Sequence, residues 1–302
     1  MTVHPHMLLR LAPLLFVLLW STGFIFSKLG APYAEPFTFL AIRFAVTLGL
    51  LAPFCFAIRA PWPPWRTALH AGVAGATIHT LYLGGTLIAL RGGMPAGVTA
   101  LIVSLQPVLT ALLAAPLLGE RTTFWHWVGL AIGIAGALLV VGPKLELPMH
   151  ASSTGISVAT VAAAGLSLLG ITIGTLYQKR FVGGGDLRTM SACQFAGALV
   201  TALPLAWAVE TRVVVWDPAF LVALAWLVVV LSLGAVSLLM MLIRQNAVSS
   251  VAALFYLVPC VTALMAWGLF DERLTGVQLL GLALTAGAVL LIGRVAAPRR
   301  PT

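Results

Sequence analysis

The sequence predicts an all-α integral membrane protein with ten transmembrane helices arranged as two inverted five-helix repeats. The first observation behind this prediction is composition: of 302 residues, 61% are hydrophobic and only 8% are charged. A water-soluble domain of this size does not present so few charges to solvent. The second observation is a series of ten long apolar runs, and the third is an internal sequence repeat.

Each apolar run is close to the length of about 20 residues that a helix needs to cross a bilayer. The connections between runs, such as GERTT and NAV, are short and leave no room for a separate soluble domain. The strict alternation of polar and apolar residues that is typical of membrane β-barrels is not seen. The predicted spans are residues 8–28, 36–58, 66–90, 94–118, 124–142, 154–178, 188–210, 218–243, 247–270 and 275–293.

The internal repeat is clearest around the fourth and ninth spans. Shifting the chain by 152 positions pairs Pro107 with Pro259 and the Glu-Arg pair that begins at Glu120 with the one that begins at Glu272. Chance similarity between two apolar helices does not place a proline and a Glu-Arg pair in register. The two halves of the chain therefore derive from one pattern.

The first span has its own partner in the second half. A shift of 151 positions aligns STGFIFSK, which begins at Ser21, with TIGTLYQK, which begins at Thr172. The first run therefore belongs to the fold, although a run of this kind can be mistaken for a signal peptide. Because each repeat has an odd number of spans, the second must enter the membrane from the opposite side. We predict two repeat domains, residues 1–148 and 149–302.

The net charge of +9 follows from basic residues that are sorted between alternate loops, which argues against nucleic-acid binding. Eleven of these residues share one side if the N-terminus is cytoplasmic, and five lie opposite, which favours cytoplasmic placement of both termini. The predicted cytoplasmic set is Arg10, Arg59, Arg66, Arg121, Lys179, Arg180, Arg188, Arg244, Arg294, Arg299 and Arg300. The opposite set is Lys28, Arg91, Lys144, Arg212 and Arg273.

The sequence contains no recognisable motif for catalysis, a metal or a cofactor. Cys55, Cys193 and Cys260 lie in different spans without paired spacing, which predicts neither a disulfide nor a metal site. The sequence has no HExxH, G-x-S-x-G or phosphate-binding GxxxxGK[ST] string. GGGDLR, residues 183–188, lacks the second aspartate that an intramembrane aspartyl protease needs. We predict that the protein is not an enzyme and holds no cofactor.

Polar residues in the middle of the spans are candidates for a transport path. His79 lies near the centre of the third span, and Tyr82 and Thr86 share its helical face. Arg43 lies two turns inside the second span, where it either bonds to helix-end carbonyls or contacts a substrate carboxylate. Trp20 and Phe24 add aromatic surface from the first span.

The remaining candidates follow from the repeat. Pro107 and Pro259 each remove a backbone hydrogen bond and are candidate hinges, as are the small residues Gly23 and Gly174, which would allow close helix approach. The predicted substrate contacts are His79, Tyr82, Ser104, Tyr256, Ser21, Gly23, Phe24, Thr172, Ser237 and Arg43.

The combination of WSTGF in the first span, PFTFLAIRF in the second and a proline-bearing fourth span that ends in LLGER resembles the ten-span EamA-type proteins of the drug/metabolite transporter superfamily. The resemblance covers the whole chain. It implies a central cavity formed by spans 1, 3, 4, 6, 8 and 9, and export of metabolites such as amino acids across the bacterial inner membrane. Gln194 departs from the pattern, because it replaces the arginine of the second span in the second repeat.

The sequence therefore predicts a multi-pass transporter in the lipid bilayer that exports small amphipathic molecules, amino acids first. A cavity with aromatic residues and no acidic side chain suits a zwitterion with an apolar body better than a bare cation. The alternatives are export of other metabolites or drugs, and a membrane receptor or scaffold without transport. All eight acidic residues lie in loops or at span ends, which favours uncoupled transport over a proton carried by His79. Glycines of the fifth span indicate close helix contact within the subunit or in a homodimer.

Overall fold

The computed structural model describes residues 5–94, 96–119, 123–141, 157–245, 248–270 and 275–296, and across these residues the regular structure is helical. The α-helices are α1 (Pro5–Gly30), α2 (Pro36–Ala57), α3 (Trp65–Gly75), α4 (Tyr82–Arg91), α5 (Ala96–Val103), α6 (Gln106–Leu118), α7 (Phe124–Val141), α8 (Val158–Phe181), α9 (Leu187–Val209), α10 (Pro218–Trp226), α11 (Val236–Gln245), α12 (Val248–Ala253), α13 (Leu257–Phe270) and α14 (Gly276–Ala296).

Six helical stretches are long and apolar enough to cross a membrane: Leu11–Gly30, Pro36–Ala57, Trp65–Arg91, Val158–Phe181, Leu187–Val209 and Pro218–Gln245. The other four predicted spans contain shorter apolar helices, Gln106–Leu118, Phe124–Leu139, Val251–Thr262 and Gly276–Ile292. Large apolar side chains such as Val200, which is 71% exposed, cover the outer surface of the bundle. An apolar exterior of this kind is suited to lipid rather than water.

Two of the long helices contain π-helical segments. Ala76–Leu81 joins α3 to α4, and Leu227–Ala235 joins α10 to α11. A π segment widens the helix by one residue per turn and is frequent at functional sites. The two segments overlap when the chain is shifted by about 151–153 positions, so both halves widen at the same place.

The fourth and ninth predicted spans are interrupted rather than straight. The regular α-helical hydrogen bonding is interrupted between α5 and α6 by a turn at Ser104 and Leu105. A short 3-10 turn at Leu254–Tyr256 separates α12 from α13. Pro107 and Pro259 lie in the first turn of the helix that follows each interruption, where the missing proline N–H costs no helical hydrogen bond.

Helices α2 and α9 lie side by side and run in opposite directions. At one end, the Glu210 carboxylate accepts hydrogen bonds of 2.7 Å from the backbone N–H groups of Phe37 and Thr38, at the start of α2. At the other end, the Thr189 hydroxyl, near the start of α9, donates to the carbonyl of Pro61 at 2.9 Å. The start of each helix therefore lies beside the end of the other.

Helices α7 and α14 pack closely because glycine removes side-chain bulk from their interface. A Cβ atom on Gly129 would lie 2.7 Å from Cγ1 of Ile292, and one on Gly136 would lie 2.8 Å from the carbonyl oxygen of Gly281. The glycines of the fifth predicted span therefore serve a contact within the chain.

Candidate functional site

A cavity lies between α1, α2, α4 and the two π segments, so it is bounded by residues from both halves of the chain. Water-sized molecules can occupy about 30 Å³ of it, which is room for one or two waters. The lining residues are Trp20, Gly23, Phe24, Ser27, Arg43, Ile78, His79, Tyr82, Leu83, Thr86, Leu227, Leu231 and Val236.

Arg43 brings a positive charge to the cavity wall. Its side chain is 5% exposed, and its Nε donates a hydrogen bond of 3.0 Å to Oγ of Ser232 in the second π segment. Arginine stays charged in proteins and carries five N–H donors. The guanidinium therefore links the two halves through one donor and keeps others for further partners.

Aromatic rings form a second part of the wall. The rings of Trp20 and Tyr82 are stacked, with an interplanar angle of 9° and centroids 6.2 Å apart. Nε1 of Trp20 donates a hydrogen bond of 3.3 Å to the Tyr82 hydroxyl. Phe255 meets Trp20 edge-on at 5.5 Å from behind. This part of the wall is therefore aromatic and apolar apart from the Trp20 N–H and the Tyr82 hydroxyl.

His79 lies in the first π segment and is 1% exposed. Its ring stacks on Phe195 at 4.6 Å between centroids and an angle of 11°. The Gln194 carboxamide lies beside it, but Nε2 of His79 and Oε1 of Gln194 make no hydrogen bond of standard geometry among the described residues. A buried polar atom without a partner is costly, so His79 has a nitrogen available for water or a ligand.

Behind His79 lies a pair of buried amides. Nε2 of Gln194 donates a hydrogen bond of 2.9 Å to Oε1 of Gln178, and Nε2 of Gln178 has no partner within the described part of the chain. Both glutamines are at most 1% exposed. They extend the polar lining from His79 toward the end of α8.

Charged side chains secure the loops at both ends of the bundle. At one end, Arg91 donates to the carbonyl oxygens of Ala31 and Ala34, at 3.1 and 2.6 Å. At the other, Arg244 donates to those of Gly185 and Gly184, at 2.7 and 2.8 Å. These contacts fix the loop between α1 and α2 and the loop between α8 and α9.

Two loop carboxylates are stabilised in their charged form. The pKa of Glu35 is lowered by three hydrogen bonds to its carboxylate. The largest contribution comes from the Thr211 hydroxyl, and the backbone N–H groups of Arg212 and Thr211 add to it. The ion pair with Arg188 lowers the pKa of Asp186 to about 2. Both carboxylates serve loop structure.

Half of the predicted contact residues lie on the cavity wall: His79, Tyr82, Gly23, Phe24 and Arg43. Ser21 and Thr172 do not line the cavity. The Ser21 hydroxyl is within hydrogen-bond distance of the carbonyls of Val17 in its own helix and Val258 in α13, and the Thr172 hydroxyl donates to the carbonyl of Leu168. The Ser237 hydroxyl likewise donates to the carbonyl of Leu233. Contact of these three with a substrate stays a prediction.

The two residues at the helix interruptions also lie outside the cavity. Tyr256 is fully buried against α7, and its hydroxyl donates to the carbonyl of Leu130 at 3.2 Å. Ser104 is 2% exposed in the break between α5 and α6. Of the candidate hinges, Gly174 packs against the first π segment.

Sequence reasoning did not include Ser27, Leu231 or Ser232 among the site residues. Ser27 was visible in the opening polar stretch, one helical turn beyond Phe24, so the helical period could have found it. Ser232 is visible as a polar residue of the eighth span, but its hydrogen bond to Arg43 required knowledge of the contact between α2 and the second π segment. Leu231 is an ordinary apolar residue, and the sequence gives no signal for it.

Among the described residues, no group of three or more His, Cys, Asp and Glu side chains is placed to hold a metal ion. The cavity wall is made of aromatic, aliphatic and hydroxyl groups together with Arg43 and His79. These groups suit an organic molecule.

Comparison with known proteins assigns the chain to a family. The sequence profile of the EamA-like transporter family matches residues 9–142 and 156–294. The chain belongs to this family. It is therefore a multi-pass membrane transporter of the drug/metabolite transporter superfamily, as the resemblance predicted, and its relatives imply a small-molecule substrate.

Individual members of the EamA-like family match most of the chain. The "Uncharacterized inner membrane transporter YedA" of Escherichia coli K12 is 26% identical over 303 residues, covering 97% of this chain and 94% of YedA. A "Probable amino-acid metabolite efflux pump" of the same organism is 26% identical over 281 residues, covering 90% of each chain. A solved crystal structure aligns with a TM-score of 0.73 and 21% identity over 95% of this chain and 96% of the other, a likeness that shows the fold alone.

Proposed function

We propose that this EamA-like protein exports small amphipathic metabolites, amino acids first among them, by alternating access through the cavity beside Arg43. The observation that carries the proposal is a cavity, bounded by both halves of a transporter-family chain, that joins a cationic group to an aromatic wall. The relative named as an amino-acid metabolite efflux pump supports the direction and the substrate class. In the proposed orientation both termini are cytoplasmic, in the bacterial inner membrane.

The proposed architecture is ten spans in two inverted repeats, residues 1–148 and 149–302. The antiparallel pair α2 and α9 supports it, because these helices correspond in the sequence repeat and run in opposite directions. The matching positions of the π segments and of the helix interruptions give further support. Inverted repeats allow one half to open a path as the other closes it.

The size of the cavity supports a cycle with a conformational change. Typical sites for small organic ligands have volumes of roughly 300–1,000 Å³, whereas water-sized molecules can occupy about 30 Å³ here. A substrate the size of an amino acid therefore requires the surrounding helices to separate. We propose that the interruptions before Pro107 and Pro259 absorb part of that motion.

The proposed substrate contacts in this conformation are His79, Tyr82, Phe24, Gly23 and Arg43. Aromatic faces would pack on the apolar part of the substrate, and the guanidinium would bind its carboxylate. The other predicted contacts, Ser21, Ser104, Thr172, Ser237 and Tyr256, would reach the substrate only after helix movement.

We propose that transport runs down the substrate gradient without a coupled ion. The four acidic residues that the structure describes, Glu35, Asp186, Glu210 and Asp217, lie at helix ends or in loops, away from the cavity. Carboxylates in mid-membrane are the usual carriers of coupled protons. His79 is the alternative carrier.

The test is flux of labelled amino acids from proteoliposomes that contain the purified protein, with empty liposomes as the control. We expect saturable flux of apolar amino acids that is independent of an imposed proton gradient. Flux that depends on the proton gradient would show that transport is coupled to protons. His79 would then be the first residue to replace, as the alternative proton carrier. Absence of flux for all amino acids and for a panel of amphipathic metabolites, with binding retained, would favour a receptor or scaffold.

A further inference from the structure

The charge of the cavity points to a substrate class. Arg43 is 5% exposed and lines the cavity. Among the described residues its side chain makes one hydrogen bond, from Nε to the neutral hydroxyl of Ser232. A buried cation is normally paired with an anion, because removing a charge from water is costly. Here the protein supplies a hydroxyl instead.

The acidic residues of the described chain are engaged elsewhere. Asp186 pairs with Arg188, and Asp217 accepts from the backbone N–H of Ala219 at the start of α10. Glu210 accepts from the start of α2, and Glu35 from the loop at Thr211. The cavity wall therefore contains a full positive charge and no carboxylate.

A zwitterionic amino acid matches this wall only in part. Its carboxylate suits the guanidinium, which binds carboxylates through two parallel N–H donors. Its ammonium group finds neutral acceptors, the hydroxyls of Ser27, Thr86 and Tyr82 and the ring of His79. The Thr86 hydroxyl is already engaged with Ser167 and with the carbonyl of Tyr82. An ammonium group is also repelled by Arg43.

We infer that the cavity recognises an organic carboxylate with an apolar body and does not require an amino group, so that its substrates extend to aromatic and aliphatic monocarboxylates. The inference rests on the proposed transport function and names the substrate class of the same site. Binding of a monocarboxylate neutralises the charge of Arg43, whereas binding of a zwitterion leaves the cavity with its net positive charge. Trp20, Phe24 and Tyr82 supply aromatic side chains on the cavity wall against which the apolar body can pack.

The test compares four ligands that share one phenyl group: 3-phenylpropanoate, phenylalanine, phenylalaninamide and phenethylamine. Binding to the purified full-length protein in detergent is measured by the ligand-dependent shift in melting temperature. Flux of the labelled 3-phenylpropanoate and phenylalanine is then measured in proteoliposomes. We expect 3-phenylpropanoate to bind at least as tightly as phenylalanine, and the two ligands without a carboxylate to bind roughly tenfold or more weakly.

Two variants separate substrate recognition from structural bonding. Arg43→Gln should remove the preference for the carboxylate ligands. Ser232→Ala removes the hydrogen-bond partner of Arg43 and keeps the charge, so the carboxylate preference should persist. A purely structural Arg43 would give a different result: both variants would lower the melting temperature without ligand, and Arg43→Gln would leave the ligand ranking unchanged.

If Arg43→Gln does not fold, the ranking of the four ligands by the wild-type protein still tests the inference. Arg43→Lys, which keeps the positive charge, then tests whether the paired N–H donors of the guanidinium are needed for carboxylate binding. Equal or tighter binding of phenethylamine than of 3-phenylpropanoate would overturn the inference and assign the aromatic wall to amine recognition. Flux of phenylalanine without binding or flux of 3-phenylpropanoate would overturn the inference and leave the proposed transport function intact. Absence of flux for every substrate tested would count against the transport function itself.

Discussion

Phe44 and Phe195 lie in contact at the centre of the bundle, with ring centroids 6.0 Å apart, and they occupy corresponding positions 151 residues apart in the two halves of the chain. Each phenylalanine directly follows a polar residue in the sequence, Arg43 in the first half and Gln194 in the second. Arg43 reaches Ser232 in the second π segment, and Gln194 lies beside His79 in the first. The two cross-half contacts are thus counterparts, as a twofold relation between the repeats would require.

The proposed inversion can be tested in the two loops that correspond in the repeat. Pro32, between α1 and α2, and Gly183, between α8 and α9, are both exposed and lie 151 residues apart. Single cysteines at these positions, in a protein with Cys55, Cys193 and Cys260 replaced by alanine, should react with an impermeant thiol reagent from opposite sides of the membrane.

Labelling of Pro32→Cys and Gly183→Cys from the same side would exclude inverted repeats. The Glu-Arg loops at Glu120 and Glu272 give a second corresponding pair for the same measurement, although both loops lie outside the described residues. Agreement between the two pairs would rule out a local effect of one substitution.

A second prediction concerns His79, which stacks on Phe195 and has an unpaired Nε2. His79→Phe keeps a ring for stacking and removes both nitrogens, whereas His79→Ala also opens a void beside Phe44. If the nitrogen contacts the substrate, flux should fall about tenfold in both variants, while the melting temperature should fall chiefly in His79→Ala. Native flux in His79→Phe would assign His79 to packing alone.

The sequence predicted the helical class better than the composition of the cavity wall or the orientation of individual side chains. The wall is formed by spans 1, 2, 3 and 8, whereas the family resemblance implied spans 1, 3, 4, 6, 8 and 9. His79, Tyr82 and Arg43 were found because polar or charged groups in mid-span need a polar partner. Ser21 and Thr172 carry the same signal, yet both hydroxyls bond to a backbone carbonyl of their own helix, and that of Ser21 also reaches the carbonyl of Val258 in α13. Serine and threonine have this local option, and the sequence does not reveal which option is taken.

Tyr256 illustrates a second limit. Helical periodicity predicts a common face only while the helix is continuous, and the 3-10 turn at Leu254–Tyr256 changes the phase. Tyr256 consequently packs against Gly133 of α7. The π segments are likewise absent from the sequence pattern, because their extra residue per turn depends on packing against neighbouring helices.

A third prediction separates the two candidate hinge glycines. A Cβ on Gly23 would lie 3.3 Å from Cδ1 of Leu231, the mobile end of a side chain, whereas one on Gly174 would lie 3.1 Å from the backbone nitrogen of Ile78. Gly174→Ala should therefore lower the free energy of unfolding by about 1–3 kcal/mol through overpacking. Gly23→Ala should cost less than about 1 kcal/mol and reduce flux by narrowing the cavity.

Thermal or denaturant unfolding of Gly23→Ala and Gly174→Ala, measured beside their flux, checks this asymmetry. Leucine at the same positions should increase the difference in stability. Gly23→Leu should still insert into the membrane, whereas Gly174→Leu should fold poorly. Equal stability of the two alanine variants would show that the helix contact at Gly174 yields as easily as the leucine side chain at Gly23.

The last prediction concerns Arg91 and Arg244, which lie 153 residues apart, at the ends of corresponding helical stretches. Each arginine donates hydrogen bonds to two backbone carbonyls in the first loop of its own half of the chain. Hydrogen bonds from a charged donor stabilise a contact by roughly 1.5–3 kcal/mol. Arg91→Gln should therefore loosen the loop between α1 and α2, and Arg244→Gln the loop between α8 and α9. Amide hydrogen exchange should be faster in residues 31–35 of Arg91→Gln and in residues 182–186 of Arg244→Gln. In each variant, exchange in the other loop should stay at the wild-type rate.

The same two variants test whether these contacts hold the ends of the transport path closed. Ser27 lines the cavity one turn before the end of α1, so it lies toward the loop that Arg91 secures. A cysteine at Ser27, in the cysteine-free background, should react faster with an impermeant reagent applied from the Arg91 side when Arg91→Gln is present. Arg244→Gln should favour opening at the opposite end and lower that rate, because alternating access widens one end as the other narrows. Unchanged reactivity at Ser27 in both variants, alongside faster loop exchange, would show that the arginines stabilise loops without controlling access to the cavity.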